Sequence, residues 1–415
     1  MKPEILNYDV IVIGGGASGM MAAGQAASRG KKVLLLEKNN SMGEKLKITG
    51  GGRCNITNDE QDVREFLKNH GQASHFLFSA FHQFNAKNTF DFFESKNLPL
   101  VVQARNRVFP QTEKAADVFY TLKRFLEAKG VSVKTNSQVK KIVHDQGKIL
   151  RIITDQGQFR AASYILATGG VSHPETGSTG DGFRWLSKMG HTVHPPTPTI
   201  VPLGVAEEWV KVLAGISLSF MKISFLLDGK RQFSKIGKVL FTHFGLSGPL
   251  ILNSAAKVGE LLRNGEVTAQ IDAFPDTDLG AMDDKVVKIF SANQNKALKT
   301  VLKEIVPVGT LKGILLLLEG MNLDIPVNSV TREDRKKLVN LLKALPVTIT
   351  HLMGNDRAVS ADGGVSLTEI DTRTMKSKIM SNLFVTGDLL HINRPSGGYS
   401  LQLCWTTGFI AGNEV

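Results

Sequence analysis

The first forty residues constrain the fold more than any other stretch of the chain. Asp9 and an apolar run at residues 10–13 lead into Gly14-Gly15-Gly16-Ala17-Ser18-Gly19, and a helical run of small residues follows as far as residue 29. A second apolar run, at residues 33–36, follows Lys32 and ends at Glu37. This order of strand, glycine turn, helix, strand and acid is the one that a dinucleotide-binding βαβ unit requires.

Each glycine of this turn has its own role in such a unit. Gly14 permits a sharp turn off the strand, Gly16 lets backbone N–H groups approach a pyrophosphate, and Gly19 lets the helix pack close to the sheet. The phosphates then lie at the positive end of the helix dipole. Glu37 is placed to accept hydrogen bonds from a ribose hydroxyl group. The stretch therefore predicts a binding site for the adenylate and pyrophosphate groups of a dinucleotide.

Length and composition exclude several classes of protein. The chain has 415 residues with no repeat and no low-complexity tract, so two or three globular domains are expected. Its two cysteines, Cys54 and Cys404, argue against a disulfide framework and favour a reducing compartment. The apolar runs are too short for a membrane span or a signal peptide. We therefore expect a soluble, cytoplasmic protein.

The formal charge of +12 at pH 7 has two interpretations. It is compatible with attraction to a dinucleotide, an acidic substrate, RNA or a membrane surface. The basic residues are scattered, however, and the compact run Arg335-Lys336-Lys337 falls in a helical pattern where a solvated face is expected. We therefore favour a solvated basic surface over a nucleic-acid partner.

The stretch at residues 43–58 is the most unusual in the sequence. Gly50-Gly51-Gly52 cannot form the interior of a stable helix or strand, so we predict a loop that approaches the far end of the cofactor. Arg53 can neutralise phosphate or the charge of a reduced ring, and Asn55 can donate and accept hydrogen bonds at a ring edge. Cys54 has no partner cysteine nearby, so we interpret it as a small buried residue rather than a redox group.

Short strands follow a helical region. Strands are predicted at residues 131–133, 139–143 and 150–154, which together resemble an antiparallel meander against the parallel sheet. Residues 161–167 return to that sheet and end in Thr168-Gly169-Gly170. A strand that ends in Ala-Thr-Gly-Gly is the second fingerprint of flavoproteins with two dinucleotide-binding domains.

The last sixty residues contain another strand with a glycine at its end. Residues 382–386 have an apolar centre, Leu383-Phe384-Val385, and lead into Gly387-Asp388. In FAD proteins of this architecture, an aspartate here holds ribityl or ribose hydroxyl groups. Gly397-Gly398 then open a long helix, whose N terminus would stabilise negative charge on a reduced flavin ring.

The region between these parts has a different texture. Prolines cluster at residues 195–202, strands alternate as far as residue 271, and helical patterns follow. His243 lies there, in a position compatible with an active cleft or with a structural hydrogen bond. The predicted segments are residues 1–192 for the first part of an FAD-binding domain, 193–275 for the first part of an inserted β-domain, 276–345 for a helical subdomain, 346–354 for the return strand of the β-domain, and 355–415 for the last part of the FAD-binding domain.

These stretches resemble a family of bacterial flavoproteins, the BaiN-like and aminoacetone-oxidase-like FAD-binding enzymes. The resemblance covers nearly the whole chain. It is carried by residues 49–58 (TGGGRCNITN), 107–110 (RVFP), 176–182 (TGSTGDG), 242–249 (THFGLSGP), 363–366 (GGVS) and 397–399 (GGY). It implies an α/β fold in which a Rossmann-like FAD-binding domain is interrupted by a β-barrel-like domain and a helical subdomain.

The resemblance also implies a set of site residues. Arg53, Asn55 and Tyr399 are the candidate catalytic residues, and no metal ligand is expected. The expected FAD-binding residues are Gly14, Gly16, Ala17, Ser18, Gly19, Glu37, Lys38, Lys45, Gly51, Gly52, Arg53, Cys54, Asn55, Val139, Thr168, Gly169, Gly170, Gly387, Asp388, Gly398, Tyr399 and Ser400.

Four positions near the expected flavin depart from the family pattern. Asp388 stands where glutamate is usual, and His391 stands where aspartate is common. Ser400 replaces a common asparagine, and His173 replaces an expected tyrosine. The substrate of a relative therefore does not transfer directly to this chain.

The leading hypothesis is an FAD-dependent oxidoreductase that transfers hydride between flavin N5 and a small organic molecule. The reaction would be amine or ketone oxidation, or an enone-type reduction. The chain has no second complete βαβ fingerprint and no C-x-x-C pair, which argues against a separate NADPH domain and against a disulfide reductase. An oxidase that uses oxygen, and a reductase whose NAD(P)H visits the flavin transiently, both stay open.

Two alternatives belong to other classes. One is an RNA-acting flavoenzyme, which predicts a contiguous basic face near the flavin and RNA binding at low salt. The other is a redox-sensing or electron-transfer flavoprotein without an organic substrate. The sequence specifies no oligomeric state.

Overall fold

The computed structural model describes residues 5–354, 358 and 360–415. The chain forms two compact units. One comprises Met1–Thr197 with Ser360–Val415, and the other comprises Pro198–Val359. The first unit is therefore built from both ends of the chain, and the second unit is an insertion. The finer division into five segments stays a prediction.

The first unit begins with the predicted strand, glycine turn, helix and strand. Up to the insertion, its elements are β1 (Ile5–Ile13), α1 (Ala17–Ser28), β2 (Val33–Leu36), α2 (Glu44–Ile48), β3 (Thr57–Asn58), α3 (Val63–Lys68), α4 (Ser74–Gln83), α5 (Ala86–Glu94), β4 (Leu100–Gln103), β5 (Arg107–Pro110), α6 (Ala115–Ala128), β6 (Ser132–Lys134), β7 (Val139–Asp145), β8 (Lys148–Thr154), β9 (Gly157–Leu166), α7 (Asp181–Lys188) and β10 (Val193–Ile200).

The insertion contains short strands followed by helices and a return strand. Its elements are β11 (Leu203–Val205), α8 (Glu208–Lys211), β12 (Ser217–Leu227), β13 (Lys230–Thr242), β14 (Gly245–Ser247), α9 (Pro249–Leu252), α10 (Ala255–Leu262), β15 (Val267–Asp272), α11 (Leu279–Ala292), α12 (Leu298–Ile305), α13 (Leu311–Leu317), α14 (Arg332–Lys343) and β16 (Leu345–Leu352). The chain then returns to the first unit with β17 (Ser360–Val365), β18 (Leu383–Val385) and α15 (Tyr399–Glu414).

The central sheet of the first unit has the strand order β6-β2-β1-β9-β8-β7, and β18 also pairs with β9. β1 runs parallel to β2 and to β9, and β18 runs parallel to β9. Residues 10–13 and 33–36 are buried, as expected of parallel strands covered on both faces. Because β9, β1 and β18 run in the same direction, their carboxyl ends lie at the same edge of the sheet.

The structure corrects one prediction about this sheet. β7 and β8 pair antiparallel as expected, but the third strand of the meander is β9 and not the strand predicted at residues 131–133. That strand, β6, pairs in parallel with β2 at the opposite edge. The reason is that β6 follows the crossover helix α6, and a strand that follows a crossover helix returns parallel to its neighbour.

The insertion forms a closed barrel with the strand order β11-β14-β13-β12-β15-β16. Its inward side chains and the buried faces of α11 to α14 belong to one hydrophobic core. The predicted architecture, a Rossmann-like domain interrupted by a barrel-like domain with helices, is thus confirmed. In the described part of the chain, no helix is both long and apolar enough to cross a membrane.

Candidate cofactor site

The glycine turn after β1 leaves open space at Gly16 but not at Gly14 or Gly19. Gly14 has a φ of +106°, and a Cβ there would lie 2.4 Å from the carbonyl oxygen of Ala167. A Cβ at Gly19 would lie 1.9 Å from the carbonyl oxygen of Gly14. A Cβ at Gly16 would meet no described atom within 4 Å. Gly14 and Gly19 are thus needed for packing, whereas Gly16 faces the space that a pyrophosphate would need.

The N terminus of α1 faces this open space. Gly16 is the N-cap residue, and no side chain within the described chain caps the helix there. The Ser18 hydroxyl in the first turn is buried and has no hydrogen-bond partner among the described residues. First-turn N–H groups and an unpartnered hydroxyl fit a phosphate ligand. Contact of Ala17 and Ser18 with the cofactor stays a prediction.

Glu37 is fixed at the end of β2 by backbone groups. Its Oε2 accepts a hydrogen bond of 2.8 Å from the Gly15 N–H, and its Oε1 accepts one of 2.8 Å from the Asn39 N–H. Burial raises the pKa of Glu37, and these N–H groups oppose that shift. Each oxygen keeps a second lone pair for a ribose hydroxyl. The Ser137 N–H donates to the Glu37 carbonyl, and the buried Val139, at the start of β7, follows two residues later.

Two predicted lysines already have partners within the protein. Lys38 Nζ donates to Thr179 Oγ1 at 2.7 Å and forms an ion pair with Asp181 Oδ2 at 2.9 Å. Lys45 Nζ donates to Ser172 Oγ at 3.2 Å, and burial lowers its pKa. Lys38 thus contacts the loop before α7 and the first residue of α7, and Lys45, in α2, contacts the same loop through Ser172. Direct contact of either lysine with the cofactor stays a prediction.

The triple-glycine loop has the conformation expected of a close approach. Gly50, Gly51 and Gly52 have φ angles of +59°, +68° and +83°, which lie in the left-handed region. A Cβ at Gly51 or Gly52 would meet none of the described atoms within 4 Å. The loop therefore presents bare backbone to an open space, as a ligand-binding loop does.

The side chains of Arg53 and Asn55, which follow this loop, lie in different environments. The Arg53 guanidinium lies 4.5 Å from the centre of the Phe109 ring. Its Nη1 lies 3.4 Å from Gln103 Oε1 and 3.5 Å from Glu113 Oε1. Asn55 Oδ1 is buried and unpartnered within the described residues. Asn55 therefore fits an unfilled polar site, and the catalytic roles of both residues stay predictions.

Cys54 has the environment of a packing residue. It is fully buried, and burial raises the pKa of its thiol to about 12. The thiolate, which is the reactive form of cysteine, is therefore scarce at neutral pH. This favours the interpretation of Cys54 as a small buried residue beneath the glycine loop.

The ends of β9 and β18 meet the first turn of α1. A Cβ at Gly170 would lie 3.5 Å from the Asp388 Cβ, and a Cβ at Gly387 would lie 3.2 Å from the Ser18 Cβ. The Thr168 hydroxyl is buried and lacks a partner in the described structure, and Gly169 has a φ of +71°. The two glycine fingerprints and the early turn thus converge on one place, as the sequence predicts.

The late helix α15 begins close to the glycine loop region. Gly398 is its N-cap residue, has a φ of +100°, and receives no side-chain cap from the described chain. A Cβ at Gly398 would lie 2.2 Å from the carbonyl carbon of Thr57. Asn58 Nδ2 donates to the Gly397 carbonyl at 3.1 Å. The short strand β3 therefore fixes where the positive end of α15 lies.

A buried hydrogen-bond network strengthens this attachment. The hydroxyls of Thr57 and Thr89 both donate to Gln402 Oε1, at 2.6 Å and 2.8 Å, and Gln402 Nε2 donates to Thr406 Oγ1 at 3.1 Å. Sequence reasoning missed Thr57, Asn58 and Gln402. The signal was available, because a Thr-Asn pair within an otherwise glycine-rich motif needs polar partners when it is buried.

Tyr399 and Ser400 form the first turn of α15. The Tyr399 ring lies 4.8 Å from the Phe66 ring and 6.2 Å from the His70 ring, and burial raises the pKa of its hydroxyl. Ser400 is half-buried. The tyrosine ring therefore packs against α3, and its catalytic role stays a prediction.

The three histidines of uncertain role lie in different surroundings. His391 Nε2 lies 3.7 Å from Asp362 Oδ1, its ring centre lies 4.2 Å from that of His194, and burial lowers its pKa. His173 has a φ of +51° and an Nδ1 that lies 2.8 Å from a carboxylate oxygen of Glu175. His243 is exposed in the second unit.

The first unit thus offers the donor set of an FAD site. Two helix N termini, open glycine backbone and the buried unpartnered oxygens of Ser18, Asn55 and Thr168 lie in the segments that the sequence assigned to the cofactor. Across residues 5–354, 358 and 360–415, no three His, Cys, Asp or Glu side chains form a group able to hold a metal ion.

Comparison with protein families decides the assignment. The family described as "HI0933-like protein Rossmann domain" matches residues 8–414. The chain belongs to this family. The match spans both parts of the FAD-binding unit and the insertion, and it confirms the resemblance drawn from the motifs. The protein is an FAD-dependent oxidoreductase.

Three relatives match nearly the whole length of this chain. A 3-dehydro-bile acid delta(4,6)-reductase of Clostridium scindens is 30% identical over 97% of this chain and 98% of that protein. A ribosomal RNA dihydrouridine synthase of Haemophilus influenzae is 27% identical over 98% of both chains. Its namesake in Escherichia coli K12 is 25% identical over 98% of both.

Solved structures share the fold at low identity. The 3-ketosteroid delta1-dehydrogenase of Sterolibacterium denitrificans has a TM-score of 0.54 and 13% identity, over 98% of this chain and 99% of that chain. A flavocytochrome c3 fumarate reductase has a TM-score of 0.52 and 17% identity, over 99% of this chain and 78% of that chain. These likenesses concern the fold of this HI0933-like protein alone.

Proposed function

We propose that this protein reduces a carbon–carbon double bond conjugated to a carbonyl group in a small organic molecule, with NAD(P)H as the source of hydride. The proposal is carried by the reaction that the names of two relatives share, since each name describes reduction of a double bond conjugated to a carbonyl group. A 3-dehydro-bile acid delta(4,6)-reductase saturates ring double bonds of a compound with a 3-oxo group. A dihydrouridine synthase saturates the C5–C6 bond of uridine, which is conjugated to the C4 carbonyl.

The net reaction balances with one nicotinamide per double bond. One hydride is added to the β-carbon and one proton to the α-carbon, while NAD(P)H is oxidised to NAD(P)⁺. Bound FAD supplies the two-electron chemistry that connects the two compounds. Among the reactions that the sequence left open, this proposal selects the enone-type reduction. Of the two possible redox partners of the flavin, it selects NAD(P)H and not oxygen.

The residues of the first unit support this chemistry through charge. The N terminus of α15 presents N–H groups and a positive dipole end, which favour a reduced, negatively charged ring. Asn55 offers an unpartnered oxygen among the described residues, and Arg53 offers a guanidinium on the same loop. The buried Cys54 thiol, with a pKa of about 12, does not support thiol chemistry.

The test separates the two half-reactions under anaerobic conditions. The purified protein is mixed with NADPH or NADH, and bleaching of the flavin absorption is followed. The reduced protein is then mixed with 2-cyclohexenone or a 4-en-3-one steroid, and recovery of the absorption and the saturated product are measured. Bleaching by a nicotinamide with recovery by the enone is expected.

Other outcomes point to the other classes. Bleaching by amines, with none by either nicotinamide, would overturn the proposal in favour of an oxidase. Bleaching by a nicotinamide that no enone reverses would instead favour an electron-transfer role. The matched control for the substrate is cyclohexanone, which has the carbonyl group but no double bond to reduce.

A second candidate function is reduction of uridine within RNA. Two of the relatives carry the name ribosomal RNA dihydrouridine synthase. A feature of the barrel favours the same class: residues 217–242 contain five basic residues and one acidic residue. The Phe220 side chain on this hairpin is 73% exposed, and its φ is +58°. Exposed aromatic rings among basic side chains are typical of surfaces that bind single-stranded nucleic acid.

A binding experiment distinguishes the two candidates. RNA binding at low salt is measured for the wild type, for Phe220→Ala and for Lys222→Glu, with the exposed Lys312→Glu as the control outside the hairpin. The RNA function predicts at least tenfold weaker binding for the first two variants and no change for the control. Absence of binding by the wild type at low salt would end this candidate and leave the small-molecule reductase.

A further inference from the structure

Arg394 is among the largest fully buried side chains of the protein, with 2% of its surface exposed. A guanidinium group keeps its proton in proteins, so this side chain is a permanent buried charge. Burying a charged group costs much solvation free energy, so buried charges in proteins are usually paired and hydrogen-bonded. A buried arginine in a cofactor-binding unit therefore requires a specific account of its partners.

Arg394 contacts three residues of the short turn after β18. Its Nη2 donates to the carbonyl oxygens of Gly387 and Leu390, the former at 3.4 Å. Its Nε lies 3.1 Å from Asp388 Oδ1. The guanidinium thus spans the turn from its first residue to its last and also pairs with the one acidic side chain between them.

This turn, which follows β18, contacts two of the segments predicted to bind the cofactor. Gly387 lies against Ser18 in the first turn of α1, and the Asp388 Cβ lies next to Gly170 at the end of β9. Asp388 is also close enough for its charge to influence Lys45 and Cys404. Its carboxylate therefore lies among the groups that would hold the cofactor.

We propose that Arg394 is a positioning residue that orients Asp388 toward FAD. Arg394 pairs with Oδ1, and this leaves Oδ2 to accept a hydrogen bond from a cofactor hydroxyl. Because the guanidinium also holds the carbonyls of Gly387 and Leu390, the backbone and the carboxylate are fixed together. The proposal rests on FAD binding alone and not on the proposed substrate, so it is tested without any substrate.

A positioning role predicts a coupling that a merely structural role lacks. If Arg394 acts on FAD through Asp388, then removing either side chain should weaken FAD binding, and removing both should cost little more than removing one. If Arg394 only stabilises the fold, its removal should lower stability and leave the affinity for FAD nearly unchanged. If it acts on FAD independently, the two losses should multiply.

The experiment is a double-mutant cycle on FAD affinity. The full-length protein is stripped of flavin and titrated with FAD, and quenching of flavin fluorescence gives the dissociation constant. The variants are Arg394→Met, Arg394→Lys, Asp388→Asn and the double variant Arg394→Met with Asp388→Asn. Arg335→Met is the control, because Arg335 forms a comparable pair with Asp283, with Nε at 2.7 Å, in the second unit.

Specific outcomes support or overturn the proposal. We expect at least tenfold weaker FAD binding for Arg394→Met and Asp388→Asn, a smaller loss for Arg394→Lys, and a double variant within threefold of the weaker single variant. The control should bind FAD as the wild type does. Unchanged affinity in Arg394→Met, or losses that multiply in the double variant, would overturn it. If Arg394→Met does not fold, Arg394→Lys with Asp388→Asn completes the cycle.

Discussion

Gly398 occupies a position where a side chain has neither the conformation nor the space that it needs. Its φ is +100°, and a Cβ would lie 2.2 Å from the carbonyl carbon of Thr57. Gly130 also has a positive φ, +70°, but a Cβ there would meet none of the described atoms within 4 Å. The two glycines thus separate the effect of backbone conformation from the effect of close packing.

We therefore predict very different costs for Gly398→Ala and Gly130→Ala. Gly130→Ala should cost about 1 kcal/mol, from the left-handed conformation alone. Gly398→Ala should cost more than about 3 kcal/mol, because strain and a backbone clash add together. Urea unfolding measures both costs, and flavin absorption reports retained FAD. Equal destabilisation of the two variants would show that β3 does not fix the start of α15.

His70 makes the stability of the first unit depend on pH. It is 1% exposed, its Nδ1 lies 2.9 Å from the Asn393 carbonyl oxygen, and burial lowers its pKa to about 4. Between pH 6.5 and pH 4 the unfolded chain therefore binds a proton that the folded chain does not. Stability is complete above pH 6.5 and is lost as the pH falls toward 4.

The predicted loss from His70 is about 2 kcal/mol at pH 5 and roughly 3 kcal/mol once the pH is below both pKa values. His70→Asn keeps a side-chain donor and removes the titrating group, so it should be less stable at pH 7.5 but should lose less stability at pH 5. His75→Asn is the control, because His75 is exposed on the neighbouring helix. Urea midpoints at the two pH values provide the measurement. A wild-type acid loss that His70→Asn leaves intact would contradict the assignment.

Individual residues differ in how well their roles can be predicted from the sequence. Gly14 and Gly19 were predictable, because the motif requires close backbone approach and the structure leaves no room for a Cβ. The burial of Cys54 was also predictable from its lack of a partner cysteine. Arg394 was not, because nothing in the sequence distinguishes an arginine that faces water from one that folds back onto its own turn. Its partners are set by the turn conformation after β18.

Helices α1 and α15 pack against each other through glycines one turn apart. A Cβ at Gly408 would lie 2.4 Å from the Ser18 carbonyl oxygen, and a Cβ at Gly412 would lie 2.4 Å from the Ala22 carbonyl oxygen. The two positions are equivalent in packing. They differ in function, since Ser18 belongs to the phosphate-facing turn and Ala22 lies one turn further from it.

This difference predicts unequal effects for Gly408→Ala and Gly412→Ala. Each should destabilise the first unit by about 1–3 kcal/mol, because a methyl group forces the helices apart. Gly408→Ala should also weaken FAD binding at least tenfold by displacing the first turn of α1, whereas Gly412→Ala should change it less than threefold. FAD titration of both proteins measures the contrast. An equal loss of affinity would show that the helix pair moves as one body.

Local sequence patterns predicted where strands and helices occur better than they predicted which strands pair. The βαβ unit, the strand ends and the long last helix follow from hydrophobic runs bounded by glycine. The pairing of β6 with β2 does not, because a three-residue strand reads the same in a meander and at the edge of a parallel sheet. That choice depends on α6, which returns the chain to the opposite side of β2.

Every predicted FAD-binding residue lies in the unit built from the two ends of the chain. The motifs predicted that the cofactor domain is split. They did not predict the buried polar network that joins the halves, in which Thr57 and Thr89 from the first part hydrogen-bond to Gln402 from the last part. Such a network depends on contacts between residues more than three hundred positions apart.

The split predicts that the first unit binds FAD without the insertion. β10 and β17 pair with each other where the chain leaves and re-enters this unit, so a short glycine-serine linker can replace residues 198–359. The shortened protein should bind FAD within about tenfold of the full-length affinity, because α1, β2, the glycine loop, β18 and α15 all remain. FAD titration and the flavin absorption spectrum measure this.

The matched control carries the same deletion together with Gly398→Ala, which should abolish binding. A shortened protein that is folded by circular dichroism yet fails to bind FAD would show that the insertion contributes to the cofactor site itself.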